Sequence, residues 1–371
     1  SALGQHNMIT MLTKNHSQNI TAHNSICKHT GIANSNLLRE ILYKLDDKNE
    51  FIENYYIQQT DLYEGDEYYL RISGCTTENT DPANVILAKI SDTTLLLKNI
   101  AYIKQGIVSG ADKYTDAHQA KFALNLQKGK GIFILTKEEL ASLNLTDLEK
   151  TKYVKPVYKN GQISKYHINY DDKLWVFYIT KDTNISEATN IIAYLKKFKP
   201  ILSSKRETTE GKLPWYSLHW AREKSIFEYE EKIVNSRHAL SNIFALETKH
   251  YFEQSDIMIT VIKDEYYKTF PPKYILGLLN SKLMYVWLLK RGKLKGKSLE
   301  LYGKPLEEIP IKEPTPEIRD NVVNAVTEIL KLDKQNKECR VKLMQIIDQN
   351  IYRLYNLSDF EITIVENLNS D

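Results

Sequence analysis

The sequence predicts an α+β chain in which many short, mainly antiparallel strands give way to helices at the C-terminus. Three observations support this. Short runs of β-branched and aromatic residues recur between turn residues over positions 103–262, which is how strands read. Their connections vary in length and character, unlike the regular alternation of a doubly wound parallel sheet. From position 316 onward apolar residues repeat at helical spacing instead. A composition of 42% hydrophobic and 26% charged residues over 371 positions supplies a substantial core and excludes disordered, collagenous or coiled-coil chains.

In chain order, residues 7–12 read as a strand, the polar stretch to Ser25 as a loop or edge, and 37–45 as a helix. An acidic, tyrosine-rich segment at 55–69 and a polar one at 74–81 separate this part from the rest. The strand-like runs follow at 103–108, 132–135, 174–180, 232–235 and 257–262, with helical patterns at 191–202 and 274–290. The second of these helices starts just after Pro271-Pro272, a position helices accept because the first turn has no use for the missing N–H. Thr315-Pro316 supplies an N-cap and first helical residue, followed by Ile318, Val322, Val326 and Ile329 on one face. Leu343, Ile347, Ile351 and Leu354 form a second stripe, and Ser358 with Glu361 has capping-box spacing. Three segments are expected: 1–90, 91–314 and 315–371. No repeat and no low-complexity tract is present.

Charge is unevenly distributed. Residues 1–100 hold eight Lys/Arg against twelve Asp/Glu, whereas 101–371 hold 42 against 35, and 271–300 hold seven basic residues against the single acid Glu300. Such a run attracts a polyanion or solvates a helix face. Tyrosine occurs 24 times against ten phenylalanines, a bias that suits a wet binding surface. Three scattered cysteines, Cys27, Cys75 and Cys339, give no disulfide framework. With apolar stretches far short of the ~20 residues that cross a bilayer, a cytoplasmic protein without a membrane anchor is expected.

Several chemistries lack their residues. The glycines form neither G-x-G-x-x-G nor a P-loop, and Gly129-Lys130-Gly131 stops short of both. His23, Cys27 and His29 lack the further ligand a structural zinc site needs. Glu230-Glu231-Lys232 and Glu247-Thr248-Lys249 carry the Glu-x-Lys of a nuclease core, but no aspartate lies between Asp182 and Asp256 to complete it. Phe270-Pro271-Pro272-Lys273 echoes the loop that holds a target amine in amino-methyltransferases, yet has Phe in place of the accepting side chain and Lys in place of the stacking aromatic. A helix start explains it better. No catalytic, cofactor-binding or metal-binding residue is assigned.

Basic groups interleaved with aromatic rings are present in quantity. Lys113, Lys205, Arg206, Trp215, Tyr216, Arg222, Arg237, Lys293, Lys295 and Lys297 are the candidate DNA-binding residues. Lysine meets phosphate as a flexible point charge, and arginine can pair bidentately with a guanine edge. Each tryptophan, taken singly, fits a core role more often than a contact role.

The order of several segments then resembles a known family. Residues 102–113 (Tyr-Ile-Lys-Gln-Gly-Ile-Val-Ser-Gly-Ala-Asp-Lys), Lys155-Pro156-Val157-Tyr158, 194–206 leading to Pro214-Trp215-Tyr216, Lys232-Ile233-Val234-Asn235, Gly277-Leu278-Leu279-Asn280-Ser281 with Trp287, and 306–311 resemble the TaqI-like C-terminal specificity domain. The tail around Ile351-Tyr352-Arg353-Leu354-Tyr355-Asn356-Leu357 is similar to the helical end of such enzymes, and Gly4-Gln5-His6-Asn7-Met8-Ile9 to a strand just past their catalytic loop. The resemblance implies the target-recognition part of an adenine-N6 DNA methyltransferase or fused type IIG restriction-modification enzyme. Residues 1–90 would be the last part of its methyltransferase domain, 91–314 the recognition domain and 315–371 the helical segment. Double-stranded DNA and an upstream methyltransferase domain of the same protein are the implied partners. S-adenosylmethionine, with Mg as a further candidate, would belong to that parent protein, and no cofactor is expected in this chain. The alternative is a protein-interaction or dimerisation module of the same complex without DNA contacts of its own.

Overall fold

The computed structural model describes residues 21–27, 35, 36, 39, 52–58, 62–64, 69, 70, 83–92, 95–333 and 336–369. It divides into two units, residues 1–85 and 86–371. The expected strand at 7–12, most of the expected helix at 37–45, and the segment 4–9 lie outside the described residues. In the first unit β1 (Thr21–Cys27) pairs antiparallel with β2 (Ile52–Gln58), from Thr21 opposite Gln58 to Cys27 opposite Ile52. A shorter antiparallel pair joins β3 (Tyr63–Glu64) to β4 (Tyr69–Leu70). The end of the polar stretch, from Thr21 to Ser25, is therefore strand.

The second unit contains β5 (Ala101–Gln105), β6 (Ile134–Thr136), β7 (Val154–Tyr158), β8 (Leu174–Phe177), β9 (Lys232–Ser236), β10 (His238–Ala239), β11 (Phe244–Glu247), β12 (Phe252–Glu253), β13 (Ile257–Ile262), β14 (Leu294–Lys295) and β15 (Ser298–Glu300). A central sheet, ordered β11-β9-β13-β5, is antiparallel throughout. A second sheet, β12-β7-β8-β6, has one parallel pair, β12 with β7, and a small third sheet is ordered β10-β15-β14.

Both faces of the central sheet are covered, and β13 shows it residue by residue. Met258 and Ile262 enter one apolar core, whereas Ile259 and Val261 enter another. A strand buried on both sides reads as a continuous apolar run, which is why Ile-Met-Ile-Thr-Val-Ile stood out. The first core lies between the sheet and the helices Pro272–Asn280, Lys282–Arg291, Pro316–Lys331, Lys337–Leu354 and Asp359–Leu368. The second lies between the second sheet and the helical stretch 189–203. The C-terminal helices thus share a core with the central sheet.

Expected helix starts appear with their caps. The Thr315 hydroxyl accepts from Ile318 N–H, and Ser358 and Glu361 bond reciprocally. The helix expected over 274–290 is two helices. The Ser281 backbone is extended and its hydroxyl accepts from Met284 N–H, so this serine caps a new helix where periodicity alone runs on. Gly277 explains how closely the first of the pair approaches its neighbour, since a Cβ there would lie 2.6 Å from Val322 Cγ1.

The Lys232 ammonium is fully buried where the two large sheets meet. It lies 2.9 Å from Glu247 and 3.0 Å from Glu253, and donates to the carbonyl of Tyr251 at 2.9 Å. Tyr170 donates to Glu247 and Tyr158 to Glu253. Burial pushes the Glu253 carboxyl up to about 7, against the pull of Lys232. The two Glu-x-Lys matches therefore supply Lys232 and Glu247 to a sealed structural cluster that no phosphodiester can reach.

Candidate nucleic-acid interface

Three strands of the central sheet finish at one edge. Gln105 at the end of β5 pairs with Met258, and Ser236 at the end of β9 pairs with Ile257. Most of the predicted basic and aromatic residues extend from this edge in two groups.

The first group begins with Arg222, held at φ 63°. Its guanidinium donates to Gln105 Oε1 at 2.7 Å and to the Gly106 carbonyl at 3.3 Å, and lies 5.0 Å from the Trp220 ring centre. Gly106 is required here because a Cβ would meet the carbonyl oxygens of Glu253 and Gln254 at 2.3 Å. Trp220 is 49% exposed and its backbone pairs both ways with Val108. His219 stacks against Trp220 at 5.5 Å and places Nδ1 3.1 Å from Glu207. The Lys205 ammonium donates to the Ser217 carbonyl at 2.7 Å and lies 5.3 Å from the Phe133 ring centre, and burial lowers its pKa to about 8. Arg206 is exposed but faces Glu210 at 3.3 Å. Trp215 is half-buried, edge-on to Tyr216, with the Lys199 ammonium 5.5 Å from its ring centre. Lys113 follows Gly106 and Val108 on the stretch after β5 and is bridged through its backbone to Gly131.

The second group is built on the third sheet. Arg237 follows β9, and its guanidinium carbon lies 4.4 Å from the centre of the Tyr302 ring. Lys293 donates to the Tyr302 hydroxyl at 2.7 Å and pairs with Glu300 at 2.8 Å, which holds that carboxyl below the usual range. His238 sits opposite Glu300 across the β10-β15 pair. Lys295 and Lys297 project from the β14-β15 hairpin, whose turn is made by Gly296 at φ 61°. No ion pair or side-chain hydrogen bond engages Lys297 among the described residues.

The groups are joined at the sheet edge. The Gln105 amide donates to the Ser255 carbonyl at 2.7 Å, and Arg237 N–H donates to the next carbonyl, Asp256, at 2.8 Å. A connected rim therefore runs from Lys205 and Trp220 through Arg222, Gln105 and Ser255 to Arg237, Tyr302 and Lys293. Sequence reasoning missed the parts played by Gln105, Tyr302 and Lys199. The unusual isolation of Glu300 within a basic run was the one signal pointing toward its partners. Among the described residues, no three His, Cys, Asp or Glu side chains are placed to hold a metal, and no helix is long and apolar enough to cross a membrane.

Over 268 residues, or 69% of the chain, it is 24% identical to the type II methyltransferase M.HindII of Haemophilus influenzae, covering 46% of that protein. It is 25% identical over 228 residues to M.HincII of the same species, covering 58% of this chain and 42% of the relative. The chain therefore spans about half the length of these curated relatives. Its fold is similar to that of the type IIL restriction-modification enzyme MmeI, solved in complex with DNA: the TM-score is 0.50 at 14% identity, over 84% of this chain and 38% of MmeI. Residues 155–311 match the TaqI-like C-terminal specificity domain, a segment that contains the rim residues from Lys199 to Tyr302, while Gln105 and Lys113 lie before it.

Proposed function

We propose that the chain recognises a specific sequence in double-stranded DNA on behalf of an adenine-N6 methyltransferase or type IIG restriction-modification enzyme. The observation that carries this reading is the continuity of the rim, which links the cations and rings of the family-matched segment along one sheet edge through Gln105 of β5. Phosphate contacts set register and base-edge contacts specify sequence. Lys295 and Lys297 suit the first task because they are exposed on a hairpin. Arg222 and Arg237 suit the second because rings and backbone hold their orientation. Lys205, Trp215, Tyr216, Lys113 and Arg206 are the remaining candidates for contact with the duplex. S-adenosylmethionine would bind the methyltransferase domain of the longer protein, which would flip the target adenine from the duplex. The type II methyltransferase relatives and the DNA complex of MmeI support this assignment.

Fluorescence anisotropy of the chain with a labelled duplex tests the reading. Association should weaken with salt, its log–log slope growing by about 0.9 for each phosphate neutralised. Salt-independent self-association with no duplex binding would overturn it and favour an interaction module.

A further inference from the structure

We propose that Arg237 reads a guanine from a platform formed by Tyr302. The inference rests on the DNA-recognition reading and assigns one position within it. The three arginines of the rim are not equivalent. Arg206 faces Glu210 and Glu207, and Arg222 already donates to Gln105 and to the Gly106 carbonyl. The Arg237 guanidinium makes no hydrogen bond or ion pair among the described residues, and its Nε is buried without an acceptor. The carboxylate of the same small sheet, Glu300, is engaged by Lys293 at 2.8 Å and neighboured by His238 at 3.9 Å.

The stem and the head of Arg237 are nevertheless both fixed. Its N–H donates to the Asp256 carbonyl and its carbonyl accepts from Leu301 N–H, each at 2.8 Å. The guanidinium carbon lies 4.4 Å from the Tyr302 ring centre, while the Tyr302 hydroxyl is held by Lys293. A planar fork held against a ring keeps its orientation, and the fork matches the paired O6 and N7 acceptors of guanine in the major groove. Lysine meets phosphate as a flexible point charge, and the exposed Lys295 and Lys297 of the β14-β15 hairpin suit that contact. No acceptor within the described residues engages the fork, so its donors are left for a partner that offers two acceptors side by side, as a guanine edge does.

Selection of duplexes from a randomised pool with the full chain, followed by competition binding, tests the assignment. The wild-type chain should enrich a motif containing guanine. Arg237→Ala should lose preference at one guanine position, reducing a discrimination of about 10- to 100-fold to near unity, and leave the other positions intact. Arg237→Lys keeps the charge and should lose the same preference while retaining the salt slope. It also guards against a folding defect in the alanine variant, with thermal melting as the check. Tyr302→Phe should keep the preference and Tyr302→Ala should weaken it. An unchanged motif in Arg237→Lys overturns the inference alone, as does a uniform affinity loss in Arg237→Ala with a slope lower by about one phosphate. No motif for the wild-type chain overturns the DNA-recognition reading as well.

Discussion

Lys232 shows how burial decides what a charged residue does. With Glu247 and Glu253 on either side and all three fully buried, replacing the lysine by Met leaves two carboxylates without their cation. Breaking a buried pair in this way costs about 3–5 kcal/mol, so Lys232→Met should show a much lower urea midpoint at pH 8. The sign of the pH effect follows from Glu253. Burial raises its folded pKa to about 7, above its unfolded value, so the folded state binds the extra proton between those two values and this group's contribution falls as pH rises through that window. Lowering the pH from 8 to 5.5 should therefore restore part of the stability lost in Lys232→Met, and an identical loss at both pH values would contradict this. Lys205 and Lys297 separate two uses of lysine at the rim. The first donates to a carbonyl and the second is exposed. Lys297→Ala should lower the salt slope of DNA binding by about one, whereas Lys205→Met should leave the slope in place, both measured by anisotropy. Neither burial nor partner choice could be read from the string, in which both are simply lysines.

At the scale of elements, local chemistry was highly legible. Thr315-Pro316 and Ser358 with Glu361 start helices where their side chains dictate, because a cap needs only residues within one turn. Ser358→Ala should cost about 1 kcal/mol in urea unfolding. The break at Ser281 was illegible for the converse reason. Apolar residues continue across it, and the Lys282 N–H bonds to Asp348 of a distant helix, so a tertiary partner helps settle where the second helix begins. Gly277 depends on its surroundings in the same way. A residue with poor helix propensity is retained mid-helix because Val322 Cγ1 would be 2.6 Å from any Cβ. Gly277→Val should destabilise by about 1–3 kcal/mol through overpacking, with a lowered thermal midpoint as the readout.

Across the whole molecule, the central sheet gathers residues far apart in sequence. Gln105, Arg222, Ser255 and Arg237 meet because the ends of β5 and β9 and the start of β13 share one edge. The basic run at 271–300 was visible as charge, and the structure shows that part of that charge is already committed, Lys293 to Glu300 and Lys282 to Glu366, as Arg206 elsewhere is to Glu210. The rim is consequently less positive than a count of lysines and arginines implies. Its specificity should depend more on oriented donors than on net charge, and the salt slope should be smaller than the eight basic candidates would give if all met phosphate.

The sequence by itself determined the α+β class, the apolar strands and the helix starts, because these depend on residue type and short-range spacing, and the family resemblance, which depends on the order of segments along the chain. Only the tertiary structure decided which lysines are sealed beside carboxylates, where the helix after Pro272 breaks, and which arginine keeps its donors unpaired on a tyrosine ring. Those outcomes depend on what each group meets after folding, through desolvation and partner geometry acting between residues tens of positions apart.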